Sequence, residues 1–338
     1  MSMAATESMD TVMRKYERVQ QQILPDVNLD FRRIGFKEEA VPGDETVNQI
    51  RLVDHQHDDT DYILTDLARR QIGQLFGFSW DRWFNSKLVD VERAGEEIRT
   101  RANKMEEHKV IRVLKPMERK ISGKRIARGI VTGSYVHIDD GDFLRVLQEA
   151  DLPDIRFTTW RTDAAQSLNR YSLLWGDSVE FPSGDYYRGI DIRNSDVGAC
   201  SMVVDEYWWR LVCTNGMVGI HKRKHLYQRK HIGKGLEEFD KVFAGIIEEA
   251  TKGFVLTSSA IRHADGHDLE MENVTRMLKS NRVQKTEIDR VQSLLEMEEY
   301  PMSRMGLVNA VTQTARDLAN PNRKAQLEAA AGRMLLAA

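Results

Sequence analysis

From Lys109 to Cys213 the chain leaves the helical period that flanks it on both sides, and this switch constrains the fold more than any other feature. VIRVLKP at 110–116 alternates apolar and polar in steps of two, and RIARGIVTGSYVHI at 125–138 is rich in β-branched residues. Both patterns suit a pleated, half-buried surface. Gly129 and Gly133 are candidate bulge or turn positions. DDGDFLRVLQEADL at 139–152 predicts a short inserted helix, with Asp139, Asp140 or Asp142 near its positive N-terminal end. Further strands follow. IRFTTWRT and RYSLLWGDSVEF flank a polar turn, while YYRGIDIRNS and ACSMVVDEYWWRLVC flank the hairpin chemistry of Asp196-Val197-Gly198.

Helical patterns lie on either side of these strands. Ile63, Leu67, Ile72, Leu75 and Phe76 recur near a 3.6-residue period, with Thr65 or Asp66 as cap, and mixed charges at helical spacing fill Asp81 to Glu107. Amphipathic helices are expected at 236–251, 268–298, 303–319 and 322–336. The fold class is therefore α+β, a mostly antiparallel sheet with flanking helices and a helical C-terminal region. Residues 1–28 read as a loosely attached N-terminal arm, because a weak pattern of Val12, Tyr16, Val19 and Ile23 stops at Pro25 and the chain through VPGDET at 41–46 stays polar. Residues 29–255 then form the α+β core domain, and 256–338 the helical C-terminal region.

Charge is distributed unevenly. The formal net charge is −3, yet residues 109–138 hold Lys109, Arg112, Lys115, Arg119, Lys120, Lys124, Arg125 and Arg128 against one acid, Glu118. Residues 207–236 hold Arg210, Lys222, Arg223, Lys224, Arg229, Lys230 and Lys234 against none. These two stretches sum to about +14, which leaves about −17 to the rest of the chain. A charge run is commonly a solvated face, but two of them beside strands point to a shared basic surface.

Catalytic signatures are sparse. SGKR at 122–125 and GKG at 233–235 lack the upstream glycine and the Ser or Thr of a phosphate loop, and neither GxGxxG nor GxSxG occurs. No nucleotide, cofactor or catalytic residue is nominated. DHQHDDTD at 54–61 and HADGHD at 263–268 offer His and Asp, but polar turns explain both strings, so no metal ligand is assigned. Cys200 and Cys213, without metal-ligand spacing, read as reduced buried thiols. No run of signal-peptide or membrane-spanning length occurs, which leads to an expected cytoplasmic setting and no membrane partner.

In a strand over 200–213, Tyr207 and Trp209 face one side while Trp208 and Arg210 face the other. If one side packs the core, the other presents an aromatic near an arginine, a combination suited to stacking bases while cations follow phosphates. Burial of both Trp residues between sheet and helix is the alternative, and Tyr186 and Tyr187 pose the same choice. Helix-turn-helix, zinc-finger and basic-zipper patterns are missing, which favours single-stranded over double-stranded DNA.

YYRGIDIRNSDVGACSMVV followed by RLVCTNGMV strongly resembles the strand pair of the phage/plasmid-like protein family, with its N-S-x-x-G turn and R-x-V-C-x-N-G-M strand. LTDLARRQIGQLFGF, ARGIVTGSYVHIDDGDFLRVL and SRMGLVNAVTQTARDL are similar to other segments of that family, so the likeness spans about residues 50–320. The resemblance implies a mobile-element origin and a bacterial host cytoplasm. It brings no settled activity. Asn215, Gly216 and Met217 match its pattern, but Asn-Gly is turn chemistry first. The expected function is single-stranded DNA binding by a homo-oligomer that assists annealing or recombination without nucleotide hydrolysis. Its expected contacts are Lys115, Arg119, Lys120, Lys124, Arg125, Arg128, Arg210, Lys222, Arg223, Lys224, Arg229, Lys230 and Lys234, with Tyr207 or Trp208 stacking. A protein-binding or self-assembly factor using the basic patch is the first alternative. A metal-dependent nuclease using Asp54, His55, His57 and Asp58 is the second.

Overall fold

The computed structural model describes residues 6–41, 44–84, 90–119, 124–150, 152, 154–159, 168–182, 184–210, 215–219, 225–232, 239–297, 300–318 and 320–336. The N-terminal segment is not a loose arm. A short strand β1 (Glu7–Ser8) leads into α1 (Met9–Gln20), where Ser8 caps the helix by accepting from the Thr11 amide. Val12 enters the larger core, while Val19 packs with Met117 and Ile126 of a different sheet. Two buried residues one heptad apart thus fasten the helix to both halves of the protein.

The first half is built on six strands: β2 (Val27–Asp30), β3 (Ile34–Val41), β4 (Asp44–Asp54), β5 (Thr60–Leu64), β6 (Ile111–Arg119) and β7 (Lys124–Thr132). Their order is β2-β6-β7-β5-β4-β3, with β5 parallel to β7 and the other neighbours antiparallel. A parallel pair needs a long crossover, and here it holds α2 (Asp66–Phe76), α3 (Trp80–Phe84), α4 (Val91–Ala102) and α5 (Glu107–Val110). Thr65 caps α2 as expected, and Gly77 closes it with a φ of 72°, a conformation that glycine adopts without Cβ strain. Ile72, Phe76, Ala94 and Ile98 bury one face of the sheet against Leu29, Phe31, Leu52 and Leu114.

The second half holds α6 (Asp140–Glu149) and the strands β8 (Arg156–Thr159), β9 (Asn169–Leu174), β10 (Val179–Phe181), β11 (Gly184–Asn194), β12 (Met202–Arg210), β13 (Asn215–Gly219) and β14 (Tyr227–Arg229). With β1 they form an antiparallel sheet ordered β1-β8-β9-β11-β12-β13, and β10 and β14 pair with β11 and β12. The chain continues through α7 (Phe239–Asp265), α8 (Met271–Ser280), α9 (Lys285–Glu296), α10 (Arg304–Arg316) and α11 (Pro321–Leu336). The helix expected over 268–298 is two helices. It breaks at Asn281–Gln284, where Arg282 takes a φ of 59° and Gln284 and Glu287 form a capping box that starts α9. The mostly antiparallel α+β architecture is that expected from the sequence, with its strands divided between two sheets rather than gathered in one.

The halves meet closely at Gly129. A Cβ there would lie 2.7 Å from the Val197 carbonyl oxygen, so only glycine admits the contact. Gln71 locks the same place, donating to the Val197 carbonyl (3.0 Å) and accepting from the Ile130 amide (2.7 Å).

Tyr16 of α1 donates a hydrogen bond to Asp139, the cap of α6. Burial pushes the Asp139 carboxyl up, but the His137 side chain, Tyr16 and the Gly141 amide outweigh it and bring the pKa from 3.8 to about 2. A depressed carboxyl stabilises the fold fully above its unfolded value and loses that effect as pH falls through the folded one. Asp139→Asn should therefore be less stable than the parent at neutral pH, with the difference closing between about pH 4 and pH 2. Urea unfolding over that range measures it, and a difference constant with pH would contradict this role.

Candidate nucleic-acid interface

The first basic run lies in the six-stranded sheet, where much of its charge is used internally. The register of β6 and β7 slips between Lys115 and Pro116, so Arg128 has no residue opposite it. Such a bulge re-aims its side chain. Arg128 turns into the junction of the two halves, only 2% exposed, and its guanidinium binds Asp196 at 2.7 Å. Lys115 is also buried and meets Asp26 at 2.5 Å. Neither cation is available to a phosphate, contrary to the sequence expectation. Lys124 is half-buried and Arg125 exposed, and they border a small cleft with Arg51, Asp59, Thr60 and Asp61. Arg125 reaches the Thr60 hydroxyl at 3.3 Å. Lys120 and the Arg119 side chain lie outside the described residues.

Of the second run, Arg229 and Lys230 are described, at the end of β14 in the eight-stranded sheet. β13 pairs with the end of β12, with Gly219 opposite Glu206, and β14 rejoins the same edge with Tyr227 opposite Val204. The two ends of this connection are therefore held about 7 Å apart along β12. His225 fixes the second end, its Nδ1 2.7 Å from Asp205. Arg229 is half-buried at the close of β14 and Lys230 is exposed just beyond it. Lys222, Arg223, Lys224, Lys234 and the side chain of Arg210 lie outside the described residues.

The aromatic residues belong to the core. Trp208 is completely buried, its ring edge-on to Phe254 of α7 at 5.6 Å and its indole N–H donating to Glu206. Tyr207 faces the opposite side, 2% exposed under α11, and its hydroxyl accepts from Thr158. Tyr186 joins the Trp208 cluster and Tyr187 packs beside Trp209. Period-two reasoning separated the two faces of β12 correctly, yet helices cover both. Neither Tyr207 nor Trp208 can stack an incoming base without exposing a core ring.

The two runs do not line one groove among the described residues. Residues just after β7 meet those just after β14: the Val136 amide donates to the His231 carbonyl at 2.9 Å and Tyr135 stacks on the His231 ring at 4.8 Å. Lys124 and Arg125 sit at the far end of β7, about 26 Å away along the strand. Comparison with protein-family models, curated proteins and solved structures gives no match. The site is read from its own chemistry alone.

The two His/Asp strings serve as turns. DHQHDDTD links β4 to β5, with Asp58 and Asp59 both at a φ of 52°, His57 2.7 Å from Asp54 and His55 2.6 Å from Asp59. HADGHD closes α7 and leads to α8. Among the described residues no three His, Cys, Asp or Glu side chains gather in a group able to hold a metal. Cys200 is half-buried, and burial pushes its thiol up to about 11. Cys213 lies outside the described residues. No helix among the described residues is long and apolar enough to cross a membrane.

A larger cleft escaped the sequence reading. It encloses about 890 Å³ between α2, the turn from Gly198 to Ser201, and the helices α9 and α11. Arg70 and Gln74 stand on one wall, Arg193 and Val203 on the floor, and Glu287 and Arg323 on the other wall. Arg323 Nε lies 2.7 Å from Glu287, and this guanidinium more than offsets the burial that would raise the Glu287 carboxyl. Arg193 is held by Asp205 and lies 3.2 Å from Asp191. Three arginines from three distant segments form no motif, so no sequence signal could have found them.

Removing one member of a buried pair leaves the other charge unpaired in a low-dielectric site, at a cost of about 3–5 kcal/mol. Arg128→Ala should show a loss of stability of that order in chemical denaturation. Its folded fraction should bind single-stranded oligonucleotides as the parent does. A stable variant with weakened binding would return Arg128 to the interface.

Proposed function

We propose that this chain is a single-stranded DNA-binding protein of phage or plasmid type, acting without nucleotide hydrolysis and assisting strand annealing or recombination as a homo-oligomer. The observation that carries this reading is a sequence run without acids, of which Lys230, just beyond β14, is exposed. Between Glu206 and Leu236 the chain holds Arg210, Lys222, Arg223, Lys224, Arg229, Lys230 and Lys234 with no carboxylate, within a protein of net charge −3. Cations grouped in sequence without interleaved acids offer a polyanion a series of phosphate contacts. Lys124 and Arg125, at the other end of β7, add a second and smaller contact. Stacking on Tyr207 or Trp208 is no part of the mechanism, so the affinity rests on phosphates and carries little sequence preference.

Neutralising Lys222, Arg223, Lys224, Arg229 and Lys230 together should leave the protein folded. If all five contact phosphates, the slope of log affinity against log salt should fall by about 3.5, since each contact on a single strand contributes about 0.7. Affinity should drop alike for oligonucleotides of different sequence. Fluorescence-anisotropy titrations at several salt concentrations measure both quantities, and a folded variant with unchanged affinity and slope would overturn the proposal.

A further inference from the structure

We infer that the cleft between α2 and α11 is a second nucleotide-binding site, taking a phosphate-bearing unit of the strand that the basic run holds. This inference rests on the single-stranded DNA reading for its occupant, but its geometry is independent of it. A volume of about 890 Å³ falls in the range of sites that enclose a small organic ligand. Arg70 is exposed on α2, and its Nε bonds only the Asp66 carbonyl of its own helix, at 3.3 Å. Its guanidinium has no acid partner among the described residues, and Arg70 lines this space and carries a bidentate, phosphate-matching donor set. The one acid on the walls, Glu287, is held by Arg323. A phosphate entering the cleft therefore meets positive charge that is not already neutralised.

The remaining walls suit the rest of a nucleotide. Leu67, Leu168, Val203 and Leu318 offer apolar surface to a sugar or base face, while Gln74 and Ser201 offer hydrogen bonds to base edges. The cleft also lies toward a described member of the basic run. Arg193 lies opposite Val203 and Val203 opposite Gln228, so these residues make one cross-strand row on one face of the sheet. That row ends at Gln228 on β14, and Lys230, two residues on, is exposed. A strand held at Lys230 is thereby brought toward the cleft.

Two variants test this, both at exposed positions of α2: Arg70→Glu, which reverses the charge, and Gln74→Trp, which fills the space. The probes are a twenty-residue oligothymidylate and free thymidine monophosphate, titrated against the full chain by anisotropy and calorimetry. Each variant should weaken oligothymidylate binding at least tenfold while thermal unfolding stays like the parent's. If the parent binds the oligonucleotide and either folded variant binds it equally well, the cleft inference fails and the DNA-binding reading stands. If the parent binds only the free monophosphate, and both variants abolish this, the cleft remains a nucleotide site and the DNA-binding reading fails. Binding of neither probe by the parent overturns both.

Discussion

The buried Arg170 guanidinium fixes how the last helix meets the eight-stranded sheet. It projects from β9 to Asp191 on the neighbouring strand at 2.7 Å and to Glu328 on α11, with all three side chains almost wholly buried. Burial opposes the charge on Arg170, but the two carboxylates outweigh it and raise its pKa further. Burial dominates at Glu328, whose carboxyl is pushed up despite Arg170 beside it. Lifting α11 away would strip Arg170 of Glu328 and leave it to Asp191 alone, a larger penalty than the loss of a surface ion pair. Under this clamp lie Leu174, Tyr207, Trp209 and Ala329.

That clamp helps close the sheet to solvent. α7 covers the Trp208 face of the same strands and α11 the Tyr207 face, so the broad sheet surface is closed on both sides. Open space is left in gaps between packed elements, and the cleft lined by Arg70, Arg193 and Arg323 is such a gap. The tight contact at Gly129 and Gln71 keeps α2 in register with the turn at Val197–Gly198, and so gives the cleft fixed walls.

The strands between 111 and 210 were legible from β-branched and aromatic runs bounded by turn residues, even where, as in β9, both faces are buried. Those of the first fifty residues were not. β3 and β4 form a hairpin in which Lys37 and Glu38 are exposed, and the apolar residues Ile34, Phe36 and Leu52 are too sparse to show a period of two. Pairing across the hairpin buries Leu52 opposite Phe36, a relation no local window contains. The division into two sheets was invisible for a related reason. β5 and β7 are more than fifty residues apart and pair in parallel, and periodicity says nothing about which strand neighbours which.

The basic residues show the same limit from the side of function. Counting charges along the chain treats a run without acids as unpaired, but pairing happens in space. Lys115 and Arg128 lie in a run with one acid, and each finds an aspartate from a distant segment, Asp26 and Asp196. A desolvated cation requires such a partner, so burial itself sorts the run into structural members and surface members. His225 shows the sorting at work in the second run, where Asp205 claims the ring at its fixed end while Lys230, a few residues on, remains exposed. Arg70 completes the argument from the opposite direction. It sits in a helix that the sequence marked only for its apolar face, and it borders a cleft whose one acid, Glu287, is already held by Arg323.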